Sequence, residues 1–145
     1  MKAIIHGPGE GARYSARGSR MTFKALANDT GGMLSLMERE MPAGGRMPPS
    51  HRHAGPEHFY VLDGELELLI EDEAVQAGRG WFALVPEGVA HTFGNTSSEP
   101  ARALITHMPA ADAYFEGLHD LWSSPTPPTA DQERELQRRH GIEPA

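Results

Sequence analysis

The chain has 145 residues, 39% of them hydrophobic and 23% charged, with no cysteine and a formal charge of −7. That length suits one domain with one core, and the balance of apolar and charged residues excludes a disordered polyelectrolyte. The missing cysteines rule out disulfides, thiolate metal sites and cysteine nucleophiles, so any metal must take nitrogen and oxygen ligands. The acidic balance and scattered arginines argue against nucleic acid, whose binders cluster Lys and Arg to displace counterions. No apolar run reaches membrane-spanning length, and the opening MKAIIHGPGEG is too short in apolar residues for a signal peptide, so a cytoplasmic protein without membrane contact is expected.

Along the chain, 16 glycines and 12 prolines punctuate short apolar runs, the rhythm of an all-β sandwich or barrel. Residues 1–20, rich in glycine and arginine, read as an arm or an added edge strand. Strands are expected over 22–27, 33–41, 57–62, 65–70, 81–85, 90–95 and 101–108, with a shorter one near 50–53. Asn28 to Gly32, Glu71 to Glu73 and Thr96 to Pro100 supply polar connections, and Asp63-Gly64 reads as a tight hairpin. These strands fill a barrel over 21–110, leaving 111–145 as a C-terminal helical extension.

In that extension, 113–122 carries apolar residues at helical spacing, and the proline-rich stretch 123–128 ends it. A second helix is expected after Thr129, which with Gln132 forms a capping box. Gly141 can take the left-handed conformation that closes this helix, folding Ile142 toward Leu136. Both helices are expected on the barrel exterior.

Chemistry concentrates in two segments. From Gly45 to Gly64 the order is G-x5-H-x-H-x3-E-x6-G, with His51, His53 and Glu57 at the polar positions. From Gly80 to Asn95 it is G-x5-P-x-G-x2-H-x3-N, with His91 as its histidine. Residues two apart on a strand share a face, so His51 and His53 can lean onto one ion while Arg52 points away. The Ala54-Gly55-Pro56 turn can return Glu57 to that face, and Pro86-Glu87-Gly88 can start the strand that delivers His91. Three imidazoles and a carboxylate suit one divalent transition metal, whether Fe, Mn, Co, Ni, Cu or Zn. An ion of charge two beside one carboxylate leaves a positive site, which favours an anionic ligand.

These two segments match the paired motifs of the cupin superfamily at every fixed position, and the chain resembles small single-barrel cupins related to quercetin dioxygenases. The resemblance implies an all-β double-stranded β-helix, a jelly-roll barrel, with one or two C-terminal helices. It implies His51, His53, Glu57 and His91 as metal ligands and Glu57 as a catalytic residue able to take a proton. It further implies a metal-dependent dioxygenase acting on a small oxygenated aromatic or dicarbonyl substrate, and a homodimer. As alternatives to the favoured dioxygenase, the same four residues could serve a redox-neutral isomerase, cyclase or dehydratase, or a cupin that binds a small ligand without turnover.

Other candidates carry less. His58 alternates outward from Glu57, and His6, His119 and His140 are read as solvated. His107 lies on the last strand, and the reading favours a side chain turned from the pocket without deciding it. Phe59, Trp81, Phe82 and Phe93 are divided between core and pocket, with no assignment of which is which.

Overall fold

The computed structural model describes residues 2–145. It contains eleven strands and three helices among these residues. The strands are β1 (Ala12–Ala16), β2 (Ser19–Ala25), β3 (Ser35–Met41), β4 (His51–His53), β5 (Glu57–Asp63), β6 (Glu65–Ile70), β7 (Glu73–Gly78), β8 (Phe82–Val85), β9 (His91–Gly94), β10 (Ala101–His107) and β11 (Ile142–Pro144). The helices are α1 (Ala27–Thr30), α2 (Asp112–Trp122) and α3 (Ala130–Arg139). The strands form two antiparallel sheets in the orders β1-β2-β3-β10-β5-β8 and β11-β4-β9-β6-β7, a jelly-roll barrel followed by C-terminal helices.

Alternation along the central strands sets what faces inward. β3 buries Ser35, Met37, Arg39 and Met41, β10 buries Ala101, Ala103, Ile105 and His107, and β5 buries Glu57, Phe59 and Val61. The register stacks these into cross-strand layers: Glu57 beside His107 beside Ser35, then Phe59, Ile105 and Met37, then Val61, Ala103 and Arg39. The middle layer is apolar core, whereas the layers above and below it carry ionisable side chains.

Four expectations change in the folded chain. Asp63-Gly64 is a corner between the sheets, because β5 pairs with β10 and β8 while β6 pairs with β7 and β9. Gly64 has φ of 68°, and a Cβ there would collide with the Pro100 carbonyl oxygen, so close approach as well as conformation demands glycine. The tight hairpin lies one strand later, where Ile70 pairs with Glu73 and Glu71 takes a positive φ of 53°. Its second strand, β7, is EAVQAG, whose composition is poor in β formers and gave no strand signal.

The helices also do more than coat the exterior. Tyr114, Phe115 and Leu118 of α2 and Leu136 of α3 are buried in the core, and the three α2 residues with Gln137 of α3 line the internal cavity, closing one end of the barrel. Gly117 lets α3 approach closely, since a Cβ there would meet Leu136 Cδ1 at 2.8 Å. Thr129 caps α3, its hydroxyl accepting from Gln132 N while the Gln132 side chain accepts from Thr129 N at 2.8 Å. Gly141, at φ 72°, then turns the chain into β11, a strand with no counterpart in the sequence reading.

Candidate metal centre

The site starts from β4, a three-residue strand held on several sides. β11 pairs along it, with Ile142 opposite His53 and Pro144 opposite His51, and Ala145 N donates to Ser50 O at 3.0 Å. Gly88 N, from the turn that precedes His91, donates to His53 O at 3.0 Å. Thr92 Oγ1 donates to Pro48 O at 2.7 Å. On this strand His51 and His53 turn inward and half-buried while Arg52 is exposed.

His91 arrives on β9 directly opposite His51, and their rings lie 4.6 Å apart between centroids. His53 sits 4.9 Å from His91 in an edge-to-face arrangement. Glu57, 2% exposed, enters from β5 of the other sheet. Its Oε2 lies 3.2 Å from His53 Nε2 and 2.7 Å from His91 Nε2. One ligand atom from each of His51, His53, Glu57 and His91 falls within 4.8 Å of the other three, so the structure brings these four residues to one point.

Their orientation suits an ion. His91 Nδ1 donates to Val89 O at 2.8 Å, and the Nδ1 atoms of His51 and His53 face the carbonyls of Pro49 and Ala54 at 3.5 and 3.4 Å. With Nδ1 turned to a carbonyl, Nε2 is left as the nitrogen that would ligate a metal, at His53 and His91 in place of its contact with Glu57, the neutral tautomer protonated on Nδ1 being the form that does so. Three such nitrogens with one carboxylate match a divalent first-row ion. The four residues are positioned to hold a metal.

Electrostatics follow from burial and from the carboxylate. Burial would raise the Glu57 carboxyl, but the His107 imidazole and hydrogen bonds from His107, His53 and His91 outweigh it and hold it well below the usual carboxylate range. Burial, aided by His91, pushes His51 down to about 4. Burial also works against charge on His53, yet its hydrogen bond to Glu57 wins and raises it.

His107 lines the cavity, against the expectation that it turns from the pocket, and this is the main correction at the site. His107 Nε2 lies 2.8 Å from Glu57 Oε1, the oxygen not shared by His53 and His91. Its Nδ1 is buried without a hydrogen-bond partner. The signal was legible in ARALITH, because His107 shares the parity of Ala101, Ala103 and Ile105 and opposes that of Arg102.

The remaining candidates scatter. His58 is on the outer face near Phe82, with rings 5.8 Å apart. His6 is exposed; His119 is half-buried and reaches the Ser15 backbone; His140 is exposed at the rim of the cavity near Tyr114. Of the aromatics, Phe59 is core, Phe93 lines the cavity, and Trp81 and Phe82 are 54% and 60% exposed. The cavity holds about 230 Å³ and reaches from the histidine cluster to Arg39 and the inner faces of α2 and α3.

Comparison with known proteins agrees with this architecture. The family model described as "Cupin domain" matches residues 37–107. No curated protein matches the chain. Among solved structures, the polyketide cyclase RemF from Streptomyces resistomycificus is 22% identical over 74% of this chain and 80% of its own, with a TM-score of 0.63. An RmlC-like cupin from Shewanella frigidimarina is 15% identical over 78% and 96%, with a TM-score of 0.66. A predicted oxalate decarboxylase from Thermotoga maritima is 19% identical over 74% and 99%, with a TM-score of 0.62. At these identities the likeness is one of fold, and with the family match it identifies residues 37–107 of the chain as a cupin domain.

Proposed function

We propose that the protein is a metal-dependent enzyme that takes a proton from a small, oxygenated, chelating substrate. The observation that carries this reading is the contact of Glu57 Oε1 with His107 Nε2 at 2.8 Å, next to a cluster of metal-ligand geometry, with His107 Nδ1 buried and partnerless. If His107 Nε2–H donates to Glu57, the ring is fixed in the tautomer whose Nδ1 is unprotonated and free to take a proton, as in other carboxylate–imidazole pairs. Glu57 thereby serves twice: Oε2 belongs to the metal cluster and Oε1 orients the base. His51, His53, Glu57 and His91 would hold the ion, which when bound supplies positive charge that acidifies a chelating substrate. Phe93, Phe115 and Leu118 on the cavity wall keep water from competing for that proton.

The dioxygenase implied by the motifs uses this step to ready an aromatic or dicarbonyl substrate for dioxygen. A redox-neutral isomerase, cyclase or dehydratase uses the same step alone. Protein reconstituted separately with Fe, Mn, Co, Ni, Cu and Zn is assayed on flavonols, catechols and diketones for oxygen uptake and, anaerobically, for substrate rearrangement. Uptake with a redox-active metal supports the dioxygenase, and anaerobic turnover with zinc supports the second class. In either case His107→Gln should retain metal and lose about 10²- to 10⁴-fold in kcat/KM. Absence of turnover with every metal, or an unimpaired His107→Gln, contradicts the proposal.

The homodimer belongs to the same reading. β8 is the open edge of its sheet, and Tyr60, Phe82 and Leu84 stand on the outer face there with 45%, 60% and 51% exposure. Phe82 lies opposite Tyr60 and Leu84 opposite His58, so the apolar groups are contiguous. An antiparallel edge can be satisfied by its own copy across a twofold axis, which makes a second chain the natural occupant.

A further inference from the structure

β3 turns four side chains into the barrel, and one of them is a cation. Arg39 is 8% exposed, between Met37 and Met41 on the same face. Its guanidinium carbon lies 5.2 Å from the centroid of the Phe93 ring. Nη2 reaches Ser19 Oγ only at 3.4 Å, and Nε is buried with no partner.

Among the described residues, the carboxylates around it are engaged elsewhere: Glu57, whose charge it feels, by His53, His91 and His107, and the others by arginines. Arg17 takes Glu133 at 2.9 Å, and Trp122 Nε1 donates to the same carboxylate at 2.6 Å. Glu38 and Glu40, its neighbours in sequence, lie on the opposite face of β3 and pair with Arg102 and Arg20. Burial, with Arg17 adding to it, pushes the Arg39 guanidinium down to about 10. A buried cation without a carboxylate costs stability, and a methionine like those flanking it would fill the space without that cost. Residues that sacrifice stability in this way commonly serve ligands.

The place of Arg39 says which ligand. It lines the same cavity as His51, His53, Glu57 and His107, and stands four residues along β3 from the Glu57–His107–Ser35 layer. Four residues of strand span on the order of 13 Å between Cα atoms, and side chains reaching inward from both ends shorten the gap. A guanidinium offers parallel donors that fit a carboxylate.

We propose that Arg39 is the anion anchor of this cavity, binding a carboxylate on the substrate whose other, oxygenated end faces the histidine cluster. The inference shares its cavity with the enzyme reading above and rests on it for the word substrate, while the anchor itself is measurable without a metal.

The experiment compares wild type, Arg39→Met and Arg39→Lys, each treated with EDTA and each loaded with zinc. Melting temperature and calorimetric affinity are recorded with acetate, benzoate and glutarate and with their methyl esters, at matched ionic strength. Without ligand, Arg39→Met should melt above wild type. In wild type at least one carboxylate should raise the melting temperature where its ester does not. Arg39→Met should weaken that binding by about tenfold or more, and Arg39→Lys should retain part of it. An Arg39→Met that melts lower or fails to fold makes the guanidinium structural and overturns the proposal. So does a carboxylate response equal in wild type and Arg39→Met, or no carboxylate-specific response in wild type. Zinc content of each variant is measured in parallel, so a failed metal site shows there and a failed anchor shows in the carboxylate response.

Discussion

Glu57 is where the separate parts of the site meet. It touches His53, His91 and His107 at 3.2, 2.7 and 2.8 Å, so one carboxylate links both sheets of the barrel. His51 gives the most direct reading of this environment by pH. Its pKa falls from 6.5 to about 4 through burial and the neighbouring His91. Between those values the unfolded chain holds a proton that the folded chain does not, so this residue's contribution to stability is lost as pH falls from about 6.5 to about 4. Urea unfolding of EDTA-treated protein at pH 4, 5, 6 and 7 should show wild type losing stability relative to His51→Gln across that window. A difference between them that stays constant with pH contradicts the assignment. Of these residues, His51, His53, Glu57 and His91 were legible from motif spacing, whereas His107 needed the strand register that carries it beside Glu57.

At the scale of elements, the weak strand β4 depends on its neighbours for its position. It meets β9 at a single residue pair, His51 with His91, and has β11 along its other edge. Deleting residues 141–145 should therefore lower metal affinity by about 10- to 100-fold while the barrel still folds, as loss of outer support does at metal sites. Isothermal titration with zinc measures this, and unchanged affinity would show that β9 suffices. The turn between β4 and β5 is demanding in another way. Gly55 is buried at φ 80°, and a Cβ there would collide with the Met108 carbonyl oxygen. Gly55→Ala should cost about 3 kcal/mol or more by strain and backbone displacement, read from the urea midpoint. A loss under about 1 kcal/mol would mean that the turn yields. Most strands and both long helices were readable from periodicity and caps. β7 was hidden by its composition, and the Asp63-Gly64 corner resembled a hairpin because its local chemistry is that of one.

For the whole molecule, the two sheets and the helical cover divide the labour: the sheets carry the ligands, and α2 and α3 close the cavity that the ligands face. The exposed apolar face at β8 is left outside this arrangement. Phe82→Glu combined with Leu84→Lys should convert the proposed dimer into a monomer in light scattering without lowering zinc content, because neither side chain lines the cavity. A dimer that survives both substitutions places the interface elsewhere.

What the sequence determined by itself is the set of local commitments. Alternating apolar residues make strands, Thr129 and Gln132 cap a helix, and the two motifs name four residues that can bind one ion. Those facts depend on chemistry within a few residues of each other. The tertiary structure decided which strand each run joins, and so placed His107 on Glu57, the C-terminal strand beside the histidine strand, and Arg39 in the cavity with its Nε unpartnered. Each of these is a relation between segments far apart in the chain, set by cross-strand register and burial, which no local pattern encodes.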